Sequence, residues 1–345
     1  MFTSKLKNGA LKMKKGKSNT KTIIKYSLIA LCFVALLITD AFIPVKYLAS
    51  YFGFAMDEVE YCGENKSCVH FIDVGYGDAT FINFADGKCA LIDGGDGTYS
   101  NQLEITSLIN AHGKSKLNYL ICTSVNEKRC GGLAELVQIY DVEKIFYPYC
   151  YTFKASQKFH DFKKVAKKRG ATIDFLETGK GFKGENYFLE ILSPTDHKSP
   201  MSEYNQLNSN FSNESINLAS GIIYLNIDGV KMLFCGDADA YRLNRLCDEY
   251  VLGAFSGDGH FGEIILENCD VIKLARGGEE KAFSTALVDF IKPKTAIISY
   301  GYKNYNYISA HTLSALETLD GAYITNGATI NLIIENGDYA VFQKE

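Results

Sequence analysis

Apolar positions along residues 68–343 follow two rhythms that take turns. Stretches of period two, rich in Val, Ile and Phe, predict β-strands at 68–74, 78–84, 88–93, 118–123 and 143–146. Apolar residues three and four apart predict amphipathic helices near 101–112, 131–138 and 155–169. The second half adds strands near 172–175, 187–193, 218–227 and 230–235, then a helix over 238–249. Strand, helix, strand and helix follow within 271–319, and strands at 322–325, 329–334 and 338–343 close the chain. The polar stretch 200–215, rich in Ser and Asn, predicts a surface loop long enough to act as a lid. There is no internal repeat. Pattern and length together give one α/β or α+β domain of about 280 residues.

Ahead of this domain the pattern changes. Residues 1–25 contain eight lysines and no acidic residue, which predicts a solvated or headgroup-facing tail. Residues 26–39 are uncharged and apolar, and the run extends to Val45 if Asp40 sits at an interface. The uninterrupted part is shorter than the roughly 20 residues that cross a bilayer, so two readings compete: a cleaved signal peptide or an uncleaved signal anchor. The long basic front and the lack of a small-x-small site before Pro44 favour the anchor. The expected organisation is a basic cytoplasmic tail (1–25), a transmembrane signal anchor (26–45), a tether (46–66) and the folded domain (67–345). Lysine asymmetry puts the N-terminus in the cytoplasm and the domain outside, as a single-pass protein of the cell membrane.

Charge fits that partition. The chain carries 36 basic and 40 acidic residues, and removing the eight tail lysines leaves 28 against 40. A domain that tracks a nucleic acid needs a basic stripe to neutralise phosphates, so nucleic acid is not a favoured partner. The run Lys154, Lys158, Lys163, Lys164, Lys167, Lys168 and Arg169 reads as the solvated face of one helix. Ten cysteines are too few for a disulfide scaffold and include no C-x-x-C pair. Cys89, Cys122 and Cys235 lie in apolar strands and are expected as buried thiols. Cys62 and Cys68 flank a short polar loop, which a disulfide would close in an oxidising compartment and leave open otherwise. His70, His112, His160, His197, His260 and His311 are scattered, without H-x-H or H-x-x-x-H spacing.

Three stretches then carry a resemblance. The first is Val69-His70-Phe71-Ile72-Asp73-Val74-Gly75-Tyr76-Gly77-Asp78-Ala79, the second Ala90-Leu91-Ile92-Asp93-Gly94-Gly95, and the third Thr123-Ser124-Val125-Asn126-Glu127-Lys128-Arg129-Cys130-Gly131-Gly132. In this order they resemble the metallo-β-lactamase-fold domain of the ComEC type, the extracytoplasmic nuclease-like domain of DNA-uptake channels. There the pieces read close to H-F-I-D-V-G-Q-G-D-S, I-D-G-G and T-H-P-H-A-D-H-I-G-G. Further on, Phe234-Cys235-Gly236-Asp237-Ala238, Asp270-Val271-Ile272-Lys273-Leu274-Ala275-Arg276-Gly277-Gly278 and Ile291-Lys292-Pro293-Lys294-Thr295-Ala296 resemble its T-G-D-A, D-V-L-K-V-G-H-H-G and V-K-P-K-V-A. The resemblance implies a four-layer αββα sandwich and, in the family, bound zinc or manganese with hydrolytic activity.

The ligands themselves differ. The slots of two histidines, an aspartate and a third histidine hold Ser124, Asn126, Lys128 and Arg129, and two later histidines are replaced by Arg276 and Gly277. Zinc needs unprotonated imidazole, thiolate or carboxylate donors at about 2.0–2.3 Å, whereas Lys and Arg offer only protonated groups that repel a dication. The expectation is a protein without cofactor and without hydrolysis, a pseudoenzyme that binds a protein or a small anionic ligand at the former active-site cleft. The alternative is a hydrolase or phosphodiesterase with a rearranged site made from Asp73, Asp93, Asp237 and His311, since magnesium or manganese tolerates all-oxygen ligands. A nucleophilic Cys130, activated by Lys128 and Arg129, is a third reading that lacks an identifiable base. Among the vestigial residues, Asp73, Asp78 and Asp93 sit beside glycines and also suit carboxylates that cap tight turns. Asp237 fills the slot of the carboxylate that bridges two metals in the family. The cations Lys128, Arg129 and Arg276 are expected to have taken over the ions' role, with Arg129 or Arg276 paired to Asp237 or Asp93.

Overall fold

The structure is a computed structural model that describes residues 62–63, 66–149, 155–195, 213–300 and 308–343. The tail, the anchor and most of the tether and of the 200–215 loop lie outside the described residues. Among the described residues, no helix is long and apolar enough to cross a membrane.

Among the described residues, fifteen strands form two sheets. The first runs β15 (Asp338–Gln343), β14 (Ile330–Glu335), β1 (Ser67–Phe71), β2 (Thr80–Asn83), β3 (Cys89–Ile92), β4 (Lys116–Ile121), β5 (Asp141–Tyr147), β6 (Thr172–Phe175). The second runs β13 (Gly321–Ile324), β12 (Thr295–Ile298), β11 (Val271–Lys273), β10 (Val230–Phe234), β9 (Ile222–Ile227), β8 (Tyr187–Ser193), β7 (Gly181–Lys183). Each sheet is antiparallel on one side and parallel on the other: β3 to β6 in the first and β10 to β13 in the second. Turn chemistry sets the antiparallel registers. Asp228-Gly229 and Asn336-Gly337 both take positive φ at two successive residues, the two-residue hairpin geometry that pairs Ile227 with Val230 and Glu335 with Asp338.

The strand alternation read from the sequence sorts the side chains into three apolar layers. Val69, Phe71, Ile223, Leu225, Met232 and Phe234 meet between the sheets. Residues one position away, such as Leu91 and Leu120, face helices α1 (Tyr99–Ala111), α3 (Leu133–Ile139) and α4 (Gln157–Arg169). On the far side Ile222, Tyr224 and Ile272 face α6 (Ala240–Val251), α7 (Thr285–Ile291) and α8 (Ala310–Leu316). The protein is thus a mixed α/β domain with two sheets packed face to face and helices on both outer sides.

Several predicted boundaries shift. The strand expected over 218–227 begins at Ile222, because helix α5 (Asn213–Leu218) and a turn that bonds Gly221 N–H to Thr123 C=O take its first part. The helix expected from 238 starts at Ala240, since the Asp239 side chain accepts from Arg242 N–H and caps it. Helix α2 (Glu127–Cys130) and strand β7 are too short to leave a periodic signal. Cys62 and Cys68 are joined in a disulfide that closes the polar loop. Cys89, Cys122 and Cys235 are buried thiols, as their apolar strands predict.

Candidate functional site

The carboxylates of the site come from the edge where the parallel strands of both sheets end. Asp93 follows β3 in the left-handed region, at φ 61°, which Asp tolerates better than most residues. Its carboxylate accepts Thr123 N–H at 2.7 Å and the Thr123 hydroxyl at 2.6 Å. Asp237 follows β10 after Gly236, whose φ of 54° and contact with Gly221 O leave no room for a side chain. The Asp237 N–H donates to Ser220 Oγ at 2.8 Å. Asp78 lies on the β1–β2 connection, its N–H donating to Lys128 C=O and its own C=O accepting Gly95 N–H. Lys273 ends β11, two residues from Val271 and therefore on the same inward face.

Into this ring reaches Arg129 from helix α2, whose N-terminus is capped by Asn126 Oδ1 accepting Lys128 N–H. Arg129 Nε donates to Asp237 Oδ1 at 2.8 Å, and Nη2 lies 2.8 Å from the same oxygen while donating to Gly236 C=O at 3.0 Å. Nη1 donates to Asp78 Oδ2 and stands 3.4 Å from Asp93 Oδ2. Lys273 Nζ donates to Asp78 Oδ2 as well, and Ser299 Oγ donates to Asp78 Oδ1 at 3.2 Å. All five residues are no more than 5% exposed. Three carboxylates thus surround one guanidinium and one ammonium at nearly buried positions.

Burial moves two of these groups in opposite directions. Burial pushes the Asp93 carboxyl well above the usual carboxylate range, the Thr123 hydrogen bonds opposing and the Asp237 charge adding to the rise. Burial, together with Arg129, pulls the Lys273 ammonium well below the ordinary amine range, against the pull of Asp93 and Asp237.

The sequence-predicted slots separate. Ser124 Oγ accepts Asn126 N–H, and the Lys128 ammonium lies over the Tyr76 ring, 3.2 Å from its centroid. Arg276, at φ 49°, pairs with Glu279 rather than with Asp237 or Asp93, and Gly277 contributes backbone only. Asp73 does not join the cluster: its two oxygens accept Gly75 and Gly327 N–H at 3.0 and 2.8 Å, a turn-capping role. His311 does not join it either, since its helix α8 places it against Thr285 Oγ1 at 3.1 Å. A site assembled from Asp73, Asp93, Asp237 and His311 is therefore not what the fold brings together. Cys130 is fully buried against Val125 C=O and Ser156 Oγ and offers no accessible nucleophile.

This donor set does not fit zinc or manganese. The imidazole slots hold a hydroxyl and an amide engaged in backbone capping and two cations, and the three carboxylates already share Arg129 and Lys273. Among the described residues, no group of three or more His, Cys, Asp or Glu side chains is gathered to hold an ion. Above the cluster opens a cavity of about 350 Å³, with Asp237 in its lining and Lys128, Arg276 and Glu279 among the other residues around it. Lys273 joins the site without a motif role in the sequence, where its one signal is a lysine at an inward position of an otherwise apolar strand.

No protein-family model matches the sequence. The chain is 22% identical over 265 residues to ComE operon protein 3 of Bacillus subtilis (strain 168), a match covering 72% of this chain and 30% of that protein. It therefore corresponds to less than a third of that relative's length. The match supports the ComEC-like resemblance carried by the motifs. Among solved structures, a mutant of the β-hydroxylase CmlA aligns with TM-score 0.44 and 8% identity, covering 86% of this chain and 58% of that one. CmlA, a diiron β-hydroxylase from Streptomyces venezuelae, aligns with TM-score 0.42 and 8% identity over 86% and 59% of the two chains.

Proposed function

We propose that this protein is a membrane-anchored, extracytoplasmic pseudoenzyme: a metallo-β-lactamase-fold domain of ComEC type that binds or scaffolds at its former active-site cleft and hydrolyses nothing. The observation that carries the proposal is Arg129, whose guanidinium sits among Asp78, Asp93 and Asp237 where a metal would need free carboxylates. A fixed cation of this kind stabilises the acids but activates no water, because its pKa leaves it protonated. The anchor reading draws on the lysine-rich residues 1–25 and the apolar run 26–39. The Cys62–Cys68 disulfide adds support, since such bonds persist in oxidising compartments.

Growth with added zinc or manganese, followed by purification of the full-length protein, tests the chemistry. Elemental analysis is expected to find far less than one ion per chain, and phosphodiesterase substrates to remain intact. Stoichiometric metal with a hydrolytic rate that Asp237→Ala removes would overturn the reading. Topology is tested separately: the full-length chain is expected to stay with membranes after carbonate washing and to lose its domain to protease outside wall-less cells. A soluble, shortened form would show cleavage instead.

A further inference from the structure

The cavity over Arg129 has a floor of unusual polarity. Asp237 is 4% exposed and lines the cavity, yet its Oδ2 has no hydrogen-bond partner among the described residues. A buried carboxylate oxygen left bare keeps its desolvation penalty without a compensating hydrogen bond, so the position calls for a donor. Arg129 cannot supply it. Its Nε is committed to Asp237 Oδ1, its Nη1 to Asp78 and Asp93, and its Nη2 to Gly236 C=O and Asp237 Oδ1. The guanidinium has five N–H groups, and these contacts occupy all of them. An anion entering the cavity would find no free donor on the floor and would meet a bare carboxylate oxygen.

Beside the floor the lining carries both signs, Lys128 and Arg276 standing with Glu127 and Glu279. Lys128 lies over Tyr76 with no carboxylate in salt-bridge range among the described residues, and Arg276 gives one Nη to Glu279. Asn126, Asn217 and Ser299 line the walls with neutral polar groups. A volume of about 350 Å³ is at the small end of ligand sites, suited to a molecule of modest size.

We infer that this cavity binds a small zwitterion that carries a primary ammonium and a carboxylate, the ammonium donating to Asp237 Oδ2 and the carboxylate accepting from Arg276 and Lys128. The inference deepens the binding reading above and rests on it. It narrows the expected ligand, since an anion alone meets the cations and not the floor. The ammonium and carboxylate of a free amino acid fit this chemistry, and so do those of a very short peptide.

Calorimetric titration of the full-length protein in detergent, with a chelator present, tests the assignment against L-alanine, glycylglycine, methylammonium, acetate and inorganic phosphate. L-Alanine or glycylglycine is expected to bind at least tenfold tighter than methylammonium, acetate or phosphate, and whichever of the two zwitterions binds tighter separates the free amino acid from the peptide. Asp237→Asn is expected to weaken the zwitterion at least tenfold. Because that variant touches the buried cluster, Arg276→Gln serves as a second: it should weaken the zwitterion about tenfold and leave methylammonium unchanged. Acetate or phosphate binding as tightly as the zwitterions, the absence of binding by every probe, or an Arg276→Gln affinity equal to the unmodified protein's would overturn it. Hydrolysis and metal content are measured in separate assays, so a hydrolytic protein and an empty ammonium site give different results.

Discussion

Two buried polar clusters flank the first sheet, and they meet the cost of burial in opposite ways. Between the sheets, Arg129 and Lys273 keep company with Asp78, Asp93 and Asp237. On the helix side, His70 places Nδ1 at 2.7 Å from Asn331 Oδ1 and Nε2 at 2.9 Å from His112 Nε2, beside the Phe81 ring. Burial lowers His70 to about 4, and burial together with the neighbouring ring lowers His112 to about 3. Both rings are therefore neutral at pH 7, with His70 donating to the Asn331 oxygen and accepting from His112. Imidazole escapes the desolvation penalty by shedding its proton, a route closed to guanidinium. Arg129 must instead be saturated with acceptors, so its removal strands charge while removal of a histidine strands only a dipole.

The sharpest way to break this contrast is Arg129→Met, which keeps most of the side-chain volume and deletes the charge. Asp78 and Asp237 would then be left with Lys273 alone, and breaking a buried ion cluster by removing one partner costs about 3–5 kcal/mol. Urea unfolding at pH 7 should show that loss, the largest expected here. A change below about 1 kcal/mol would mean the carboxylates are hydrated or protonated without help, and the ionic reading of the cluster would fail.

How far the sequence revealed these clusters depends on the separation of their parts. Strands and helices were legible because their signals are local: alternation placed β8 and β6 at their observed limits, and motif order carried the ComEC-like resemblance. The pairing of Arg129 with Asp237 spans 108 positions, yet it could be anticipated because the motif assigns both to one slot set. Lys273 with Asp78 spans 195 positions, and the strand pattern that marks the lysine as inward says nothing of its partner. Asp73 and Asp78 have the same local setting beside glycines, yet one caps turns and the other accepts two cations. Only the packing of the second sheet against the first distinguishes them. The His70–His112 contact was illegible for the same reason, since the C-terminal cap of helix α1 meets β1 only in three dimensions.

pH sharpens the comparison next, because the two clusters tilt stability in opposite directions. His70 has a folded pKa of about 4 against an ordinary 6.5, so its contribution is present above 6.5 and is lost as pH falls towards 4. Between pH 7 and pH 5 that linkage removes about 2 kcal/mol for this one buried ring. Asp93 runs the other way: its raised carboxyl contributes fully below the unfolded value near 3.8 and loses that contribution as pH rises through the folded value. Urea midpoints at pH 7, 6 and 5 should fall steadily in the unmodified protein. In a His70→Asn, His112→Phe double variant the acid limb should flatten over that interval, and an unchanged slope would show that other groups set it.

The smallest effect belongs to His112→Leu. The leucine keeps the apolar contact that the ring makes with Phe81 but withdraws the hydrogen-bond partner that lies 2.9 Å from His70 Nε2. His70 is fully buried, and a neutral acceptor left without its donor costs about 1–3 kcal/mol, less than a stranded carboxylate because no net charge is exposed. The loss should also shrink as pH falls, for a reason specific to the pair. With the second ring gone, no N–H points at His70 Nε2, and that nitrogen is open to take a proton. Unfolding of the variant at pH 7 and pH 5 separates the outcomes. A cost equal to that of Arg129→Met would mean that the histidine pair carries charge after all, and the division between a neutral cluster and an ionic one would have to be given up.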